Sequence, residues 1–215
     1  MDLSLELNKI YLDESLSEKQ KKEESLKLIQ GLDFHDYEVR RSGDKFIRDI
    51  CNNLNNNYQA TIPEFWMRAM NEVVVRNLVV DMGLENIQTI YEEKTPEGES
   101  FAAFHSSGQH SLTFFEDNNY FSRFKNLHGP DRLLYVGTLI MVAAHELEHE
   151  VQELNLQKFV NSPYDMSPDD YLMSLHFSAQ RLSRTDDKYQ QETFGEESGK
   201  LSPFEKTKEK IYNKN

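Results

Sequence analysis

The spacing of apolar residues predicts that most of the chain is helical. Apolar positions that recur at intervals of three or four residues predict amphipathic helices over 13–30, 44–54 and 61–82. Gly31 and Gly83 follow the first and the third of these segments, and glycine commonly ends helices because it tolerates a left-handed backbone. The first helix has few apolar residues, so the pattern predicts loose packing or a partner for it.

In the middle of the chain the apolar residues follow a shorter repeat, which is typical of strands. Segments 87–91, 101–105 and 111–115 are rich in β-branched and aromatic residues. Turn-forming stretches at 95–98 and 106–108 separate them, which is typical of consecutive strands. The pattern therefore predicts a small three-stranded antiparallel sheet.

Two more helices follow the predicted sheet, over about 128–156 and 167–183. Each has a proline in its first turn, where the missing N–H costs nothing. The first of them contains the apolar run 133–144, which is shorter than the roughly 20 residues needed to span a bilayer. Together with the strands, these helices predict the α+β class with a mainly helical core.

Composition divides the chain into three parts. The asparagine-rich run at 52–57 breaks the helical pattern and is our candidate linker. It separates an acidic helical N-terminal extension, 1–57, from a folded domain, 58–185. The remaining segment, 186–215, is polar and is predicted to be a disordered tail.

The charge balance limits the partners that we expect. The chain has 37 acidic and 24 basic residues and a formal net charge of -13. This sign disfavours direct binding to nucleic acid or to an anionic membrane, and it favours basic protein partners. Cys51 is the only cysteine, and the first residues lack the basic and apolar regions of a signal peptide. We therefore expect a cytoplasmic protein.

One short motif carries specific chemistry. Residues 145–149 read His-Glu-Leu-Glu-His inside a predicted helix. Because four residues make almost one helical turn, His145 and His149 project from one face and can bind one Zn²⁺ ion. Glu146 lies beside the metal, where it can accept a proton from a zinc-bound water. The motif therefore predicts metal-assisted hydrolysis.

Chance is a poor explanation of this motif. A chain with 7 histidines and this glutamate content contains it by accident roughly 0.02 times. The apolar run before His145 also places the motif on a helix that is partly buried. The alternative is a surface helix whose polar side is formed by Glu148, Glu150 and Glu153.

With this motif the chain resembles the zincin metallopeptidases, in particular the small cytoplasmic ImmA/IrrE-type enzymes of bacteria and mobile elements. The resemblance covers about 63–183, and only the motif in it is specific. It implies a zincin-like core for 58–185 and a peptide substrate that pairs as an extended strand with a sheet edge at 111–115. It also implies a third metal ligand, usually Glu or Asp, on the helix after the motif.

At the position of that third ligand the chain has a histidine. The expected inward stripe of the last helix consists of Leu172, Leu175, His176, Ala179 and Leu182. Only His176 among them can bind a metal, and it would complete a set of three histidines with one open position. The alternative for His176 is a buried structural histidine. Other candidate ligands are Asp169, Asp170 and Glu192.

Two functions remain open at this point. The first is a zinc-dependent peptidase, a hydrolase in which Glu146 activates a zinc-bound water. The second is a non-catalytic acidic protein-binding module on a degenerate zincin-like scaffold. His105 and His110 could line a catalytic cleft, although exposed turn histidines are common. Tyr164 and Tyr171 could donate a hydrogen bond to the oxyanion of the reaction, although packing also explains them.

Overall fold

The computed structural model describes residues 1–56, 64–97, 103–117, 130–161, 166–167, 169–178 and 180–182. Its helices are α1 (Leu3–Leu12), α2 (Glu18–Gln30), α3 (Tyr37–Asn56), α4 (Glu64–Asp81), α5 (Pro130–Asn161) and α6 (169–178 and 180–182). Its strands are β1 (Gln88–Glu92), β2 (Ala103–Ser106) and β3 (Ser111–Phe115). The prediction of an α+β fold is therefore confirmed.

The N-terminal segment contains two helices where the pattern predicted one. Helix α2 begins after Ser17, whose hydroxyl accepts a hydrogen bond from the backbone N–H of Gln20. The Gln20 side chain in turn accepts from the backbone N–H of Ser17, which completes a capping box. Residues 13–16 therefore lie outside the helix, although the pattern included them.

Helix α3 is longer than predicted because Gly43 does not interrupt it. A Cβ atom at Gly43 would lie only 2.9 Å from a methyl carbon of Val73 in α4. The glycine thus permits a close approach of α3 and α4 within a continuous helix. At its other end α3 includes residues 52–56, so the predicted linker is largely helical.

The sheet is mixed, and the predicted antiparallel arrangement is wrong. Its order is β1-β3-β2, in which β3 pairs with β1 in parallel and with β2 in antiparallel orientation. Strand β3 lies in the centre because four of its five residues are buried, whereas β1 and β2 are partly exposed. The predicted free edge at 111–115 is therefore paired on both sides. The strand beside α5 is β2.

All of the described helices up to α5 contribute to the same apolar core. Leu3 and Leu7 of α1 and Ile29 of α2 are fully buried, so the N-terminal helices do not pack loosely. They join side chains from α3, α4, β3 and α5, including Phe46, Met70, Val73, Leu112, Phe114, Leu139, Ala143 and Leu147. This core fixes α5 at the centre of the fold.

A buried carboxylate attaches β1 to α4. Glu72 accepts hydrogen bonds from Arg76 Nε at 2.7 Å, from the Thr89 hydroxyl at 2.6 Å and from the Tyr91 hydroxyl at 3.1 Å. Burial, and secondarily the charge of Glu72, raises the pKa of the Tyr91 phenol well above its usual value. Tyr91 is therefore a donor to Glu72 at neutral pH.

Several predicted features lie outside the residues that the structure describes. They include the helix starts at 61–63 and 128–129, the domain boundary at 57–58 and the tail over 186–215. Within the described part of the chain, no helix is both long enough and apolar enough to cross a membrane.

Candidate metal centre

The motif at 145–149 lies on α5, directly after the part of this helix that is buried in the core. Before the motif, Leu139, Met141, Val142 and Ala143 are buried. From His145 onward buried and half-exposed positions alternate, because one side of the helix faces the sheet and another faces an open groove. The motif side chains are thus held on a rigid element at the boundary between the core and solvent.

His145 and His149 converge as the motif predicts. Their Nε2 atoms are 3.3 Å apart, and their ring planes are nearly perpendicular at 82°. Two nitrogens that bind one tetrahedral zinc ion at about 2.0–2.1 Å are roughly 3.3 Å from each other. The spacing of this pair therefore fits two ligands of a single zinc ion.

A neighbouring side chain orients the second of these rings. Nδ1 of His149 is 3.3 Å from Oε1 of Gln152. An amide oxygen can only accept a hydrogen bond, so this contact places the proton of neutral His149 on Nδ1. The lone pair is then on Nε2, the nitrogen that faces His145. Metal-binding histidines are commonly oriented in this way.

Glu146 is fixed by the edge strand of the sheet. Its Oε2 accepts a hydrogen bond of 3.0 Å from the backbone N–H of His105 in β2. Glu146 and His149 both border a groove of about 500 Å³ between β2, α5 and α6. Its other lining residues are Phe104, His105, Gln152, Glu153, Leu156, Tyr171 and Leu175. The candidate base therefore faces a space that a ligand can enter.

Glu148 belongs to the buried side of α5 and not to a polar surface. Its carboxylate accepts a hydrogen bond from the Ser178 hydroxyl at 2.6 Å and two from the guanidinium of Arg181 at 2.6 and 2.7 Å. The same contact raises the pKa of Arg181. Because both partners belong to α6, Glu148 determines which face of α6 packs on α5.

Glu150 is also buried, with 1% of its surface exposed. One carboxylate oxygen is 2.6 Å from Nε2 of His105, and the other is 2.6 Å from Nδ1 of His110. The apolar pattern does not reveal this cluster, although the sequence contains a signal for the burial of Glu150. Glu150 follows Ala143 and Leu147 at helical spacing, and both of these residues are fully buried.

The predicted inward stripe of α6 is out of phase with the structure. Leu172 and His176 are exposed, whereas Ser178 is buried against Glu148. Nε2 of His176 lies 3.0 Å from the side-chain nitrogen of Gln180 in the same helix. Polar contacts to Glu148 set the rotation of α6, and the apolar pattern did not reveal them. The structure therefore does not bring His176 to the motif pair.

The other candidate ligands are not brought there either. Asp170 accepts a hydrogen bond from the Ser167 hydroxyl at 2.7 Å and donates its N–H to that hydroxyl at 3.1 Å, as a helix-capping pair does. Asp169 is exposed in the same turn. Glu192 and Tyr164 lie outside the described residues. Across the described part of the chain, no three His, Cys, Asp or Glu side chains form a group that could hold a metal ion.

Tyr171 combines packing with a place in the groove. Its ring stacks on Phe159 of α5 with a centroid distance of 4.5 Å and an angle of 4°. This contact holds the first turn of α6 against α5. Tyr171 also borders the groove, so packing and a contact to a ligand are compatible for this residue.

Comparisons with protein-family models, with curated proteins and with solved structures find no match to this chain. The resemblance to zincins thus remains a prediction that is based on the motif.

Proposed function

We propose that this protein is a zinc-dependent peptidase of zincin type in which His145 and His149 bind the metal and Glu146 is the general base. The single observation that carries the proposal is the 3.3 Å separation of the two Nε2 atoms. Imidazole nitrogen is a common zinc ligand, and this distance matches two of the ligand positions around one tetrahedral zinc ion. Gln152 supports the same arrangement by orienting His149.

When bound, zinc would supply a Lewis acid that polarises a carbonyl and lowers the pKa of water towards 7. The protein itself contributes Glu146, whose carboxylate can accept and donate a proton. The backbone N–H of His105 holds Oε2 of Glu146, so the carboxylate has a defined orientation beside the metal-binding pair. In peptide hydrolysis Glu146 would take the proton of the attacking water and pass it to the leaving nitrogen.

The groove suggests how a substrate is bound. Strand β2 pairs with β3 on one side, and its other side faces α5 and the groove. An extended peptide fits an edge of this kind because main-chain groups can pair along it. This proposal moves the substrate strand from β3, where the resemblance placed it, to β2. With its net charge of -13 the protein would act on protein substrates and not on nucleic acid, and its single cysteine, Cys51, suits the cytoplasm.

The test is a comparison of cell proteomes that contain the parent protein or its Glu146→Gln variant. We expect cleavage products that depend on the parent and disappear with the variant, while the zinc content of the variant stays unchanged. Glu38→Gln is the matched control, because the Glu38 side chain is exposed on α3. Equal cleavage by parent and Glu146→Gln variant would exclude Glu146 as the base.

A second candidate function is the non-catalytic acidic module that binds basic proteins. One observation favours it: the described residues do not complete a metal site with three ligands. Metal analysis of protein purified without added zinc separates the two candidates. One tightly bound zinc per chain in this protein supports the peptidase. If the purified protein holds no metal, and still binds none after incubation with zinc, the result supports the binding module.

A further inference from the structure

We infer that Glu150 is a positioning residue for Glu146. It holds the edge strand β2 against α5, so that the backbone N–H of His105 stays on the Glu146 carboxylate. Glu150 acts in this way through the rings of His105 and His110. Because Glu146 is the general base only if the protein is a peptidase, this role rests on the proposed function.

Two successive turns of α5 contact the same residue of β2. Glu146 and Glu150 are four positions apart, so their side chains leave one face of the helix. Glu146 accepts a hydrogen bond of 3.0 Å from the backbone N–H of His105, and an oxygen of Glu150 lies 2.6 Å from Nε2 of the same residue. His105 is thus attached to α5 through its backbone and through its ring. The position of its N–H relative to Glu146 therefore depends on Glu150.

The contact between Glu150 and His105 is shielded from water. Only 1% of the Glu150 side chain and 6% of the His105 side chain are exposed. A carboxylate in its ionised form only accepts hydrogen bonds, so Nε2–H of His105 is the donor. Hydrogen bonds to an ionised group are short and strong, and water competes little with them at a buried site. The ring of His105 therefore attaches β2 firmly to α5.

His110 is a second attachment point for Glu150. The other carboxylate oxygen lies 2.6 Å from Nδ1 of His110, which directly precedes β3. The backbone carbonyl of His110 accepts a hydrogen bond of 3.0 Å from the N–H of Gln88 in β1. Its φ angle of 49° is uncommon for a residue with a side chain, and backbone of this kind persists where surrounding contacts hold it. Glu150 thus fixes the turn between β2 and β3 near both of its ends.

Glu148 offers a comparison within the same helix. It is buried to a similar degree, with 3% of its surface exposed against 1% for Glu150. Among the described residues, its carboxylate accepts hydrogen bonds from Ser178 and Arg181 of α6. Removing the charge of Glu148 or of Glu150 thus removes one buried carboxylate from α5 in either case. Only Glu150 is attached to the strand that contacts Glu146.

The experiment follows the backbone amide proton of His105 by NMR in the full chain without metal. Glu150→Met keeps the length of the side chain and removes both carboxylate oxygens. We expect it to shift the His105 amide proton upfield, in the direction that Glu146→Gln produces by weakening the same hydrogen bond directly. Glu148→Met is the matched control and should leave this resonance unchanged. Circular dichroism and the melting temperature verify that each variant is folded.

A milder substitution covers the case in which Glu150→Met does not fold. Glu150→Gln keeps one acceptor oxygen, so it can satisfy only one of the two histidine N–H donors. We expect a smaller upfield shift of the His105 amide proton in this variant.

Cleavage in cells gives a second readout. Products that depend on Glu146 should decrease by about 10-fold or more in Glu150→Met and in His105→Phe, while the zinc content equals that of the parent. His105→Gln places a side-chain N–H donor near the position of Nε2, and it should restore most of the cleavage that His105→Phe loses. Rescue of this kind is not expected if the ring of His105 only fills space.

The inference and the proposed function fail in different ways. An unchanged His105 amide proton in folded Glu150→Met protein, or an equal shift in Glu148→Met, would overturn the inference and leave the peptidase proposal intact. Cleavage that is the same in the parent and in Glu146→Gln would instead overturn the proposed function.

Discussion

Arg181 donates two hydrogen bonds to the carboxylate of Glu148, through Nε at 2.7 Å and Nη2 at 2.6 Å. The two residues belong to α6 and α5, so this pair joins the helix that borders the groove to the helix that carries the motif. Glu148 is buried, whereas about half of the Arg181 side chain is exposed.

This pair leads to the first prediction. Among the described residues, Arg181→Ala leaves the buried carboxylate of Glu148 with the Ser178 hydroxyl as its partner. We expect the free energy of unfolding to fall by about 1–3 kcal/mol, less than for a fully buried pair. Arg41→Ala is the control, because Arg41 and Glu38 are both exposed and 3.9 Å apart, and its effect should stay within about 0.5 kcal/mol. Urea denaturation measures both. Similar values for the two variants would show that Arg181 does not stabilise the α5–α6 contact.

The second prediction concerns the close approach of α3 and α4. Gly43→Ala should lower the free energy of unfolding by about 1–3 kcal/mol, because the added Cβ would lie 2.9 Å from Val73. In an uncrowded helix the same change would be favourable by up to about 1 kcal/mol. Gly108→Ala is the control, since no neighbouring atom lies within 4 Å of its Cβ position. A stabilised Gly43→Ala protein would mean that α3 and α4 are farther apart than described.

The third prediction is a pH dependence. Because burial raises the pKa of the Tyr91 phenol above its usual value of about 10, the folded state keeps a proton that the unfolded state releases. The stabilisation is therefore complete below pH 10 and is lost as the pH rises further. Tyr91→Phe should cost about 1 kcal/mol at pH 7 and show a weaker decline in stability above pH 10.

Denaturation curves from pH 7 to 11 test this prediction. Tyr37→Phe serves as the control because Tyr37 is 72% exposed, and it should follow the parent at every pH. An alkaline decline that is as steep in Tyr91→Phe as in the parent would assign the effect to other groups.

The fourth prediction concerns Cys51. Its side chain packs against the core, and burial raises the pKa of the thiol. Since the thiolate is the reactive form, a maleimide at pH 7.5 should react with Cys51 at least about 10-fold more slowly in the folded protein than in urea. A rate that is the same in both conditions would show that the thiol is accessible.

The prediction of helices and strands succeeded where neighbours along the chain decide the conformation. The strand 111–115 and the helix end before Gly83, which has a φ angle of 65°, agree with the pattern. The pattern predicts the start of α3 seven residues later than the structure shows. A glycine that weakens an isolated helix can also allow two helices to pack closely, as Gly43 does. Nothing local distinguishes these two roles of Gly43, because the difference is the presence of Val73.

In the candidate site, too, some features follow from local helical geometry and others depend on tertiary contacts. His145 and His149 are one turn apart on a single helix, so their convergence follows from helical geometry, and the sequence determined it. Only the tertiary structure decided that β2 and not β3 faces the motif, that His176 points to solvent and that Glu150 is held between two histidines. Those relationships join residues 30 or more positions apart, and their energies depend on burial and pairing that a local pattern does not contain.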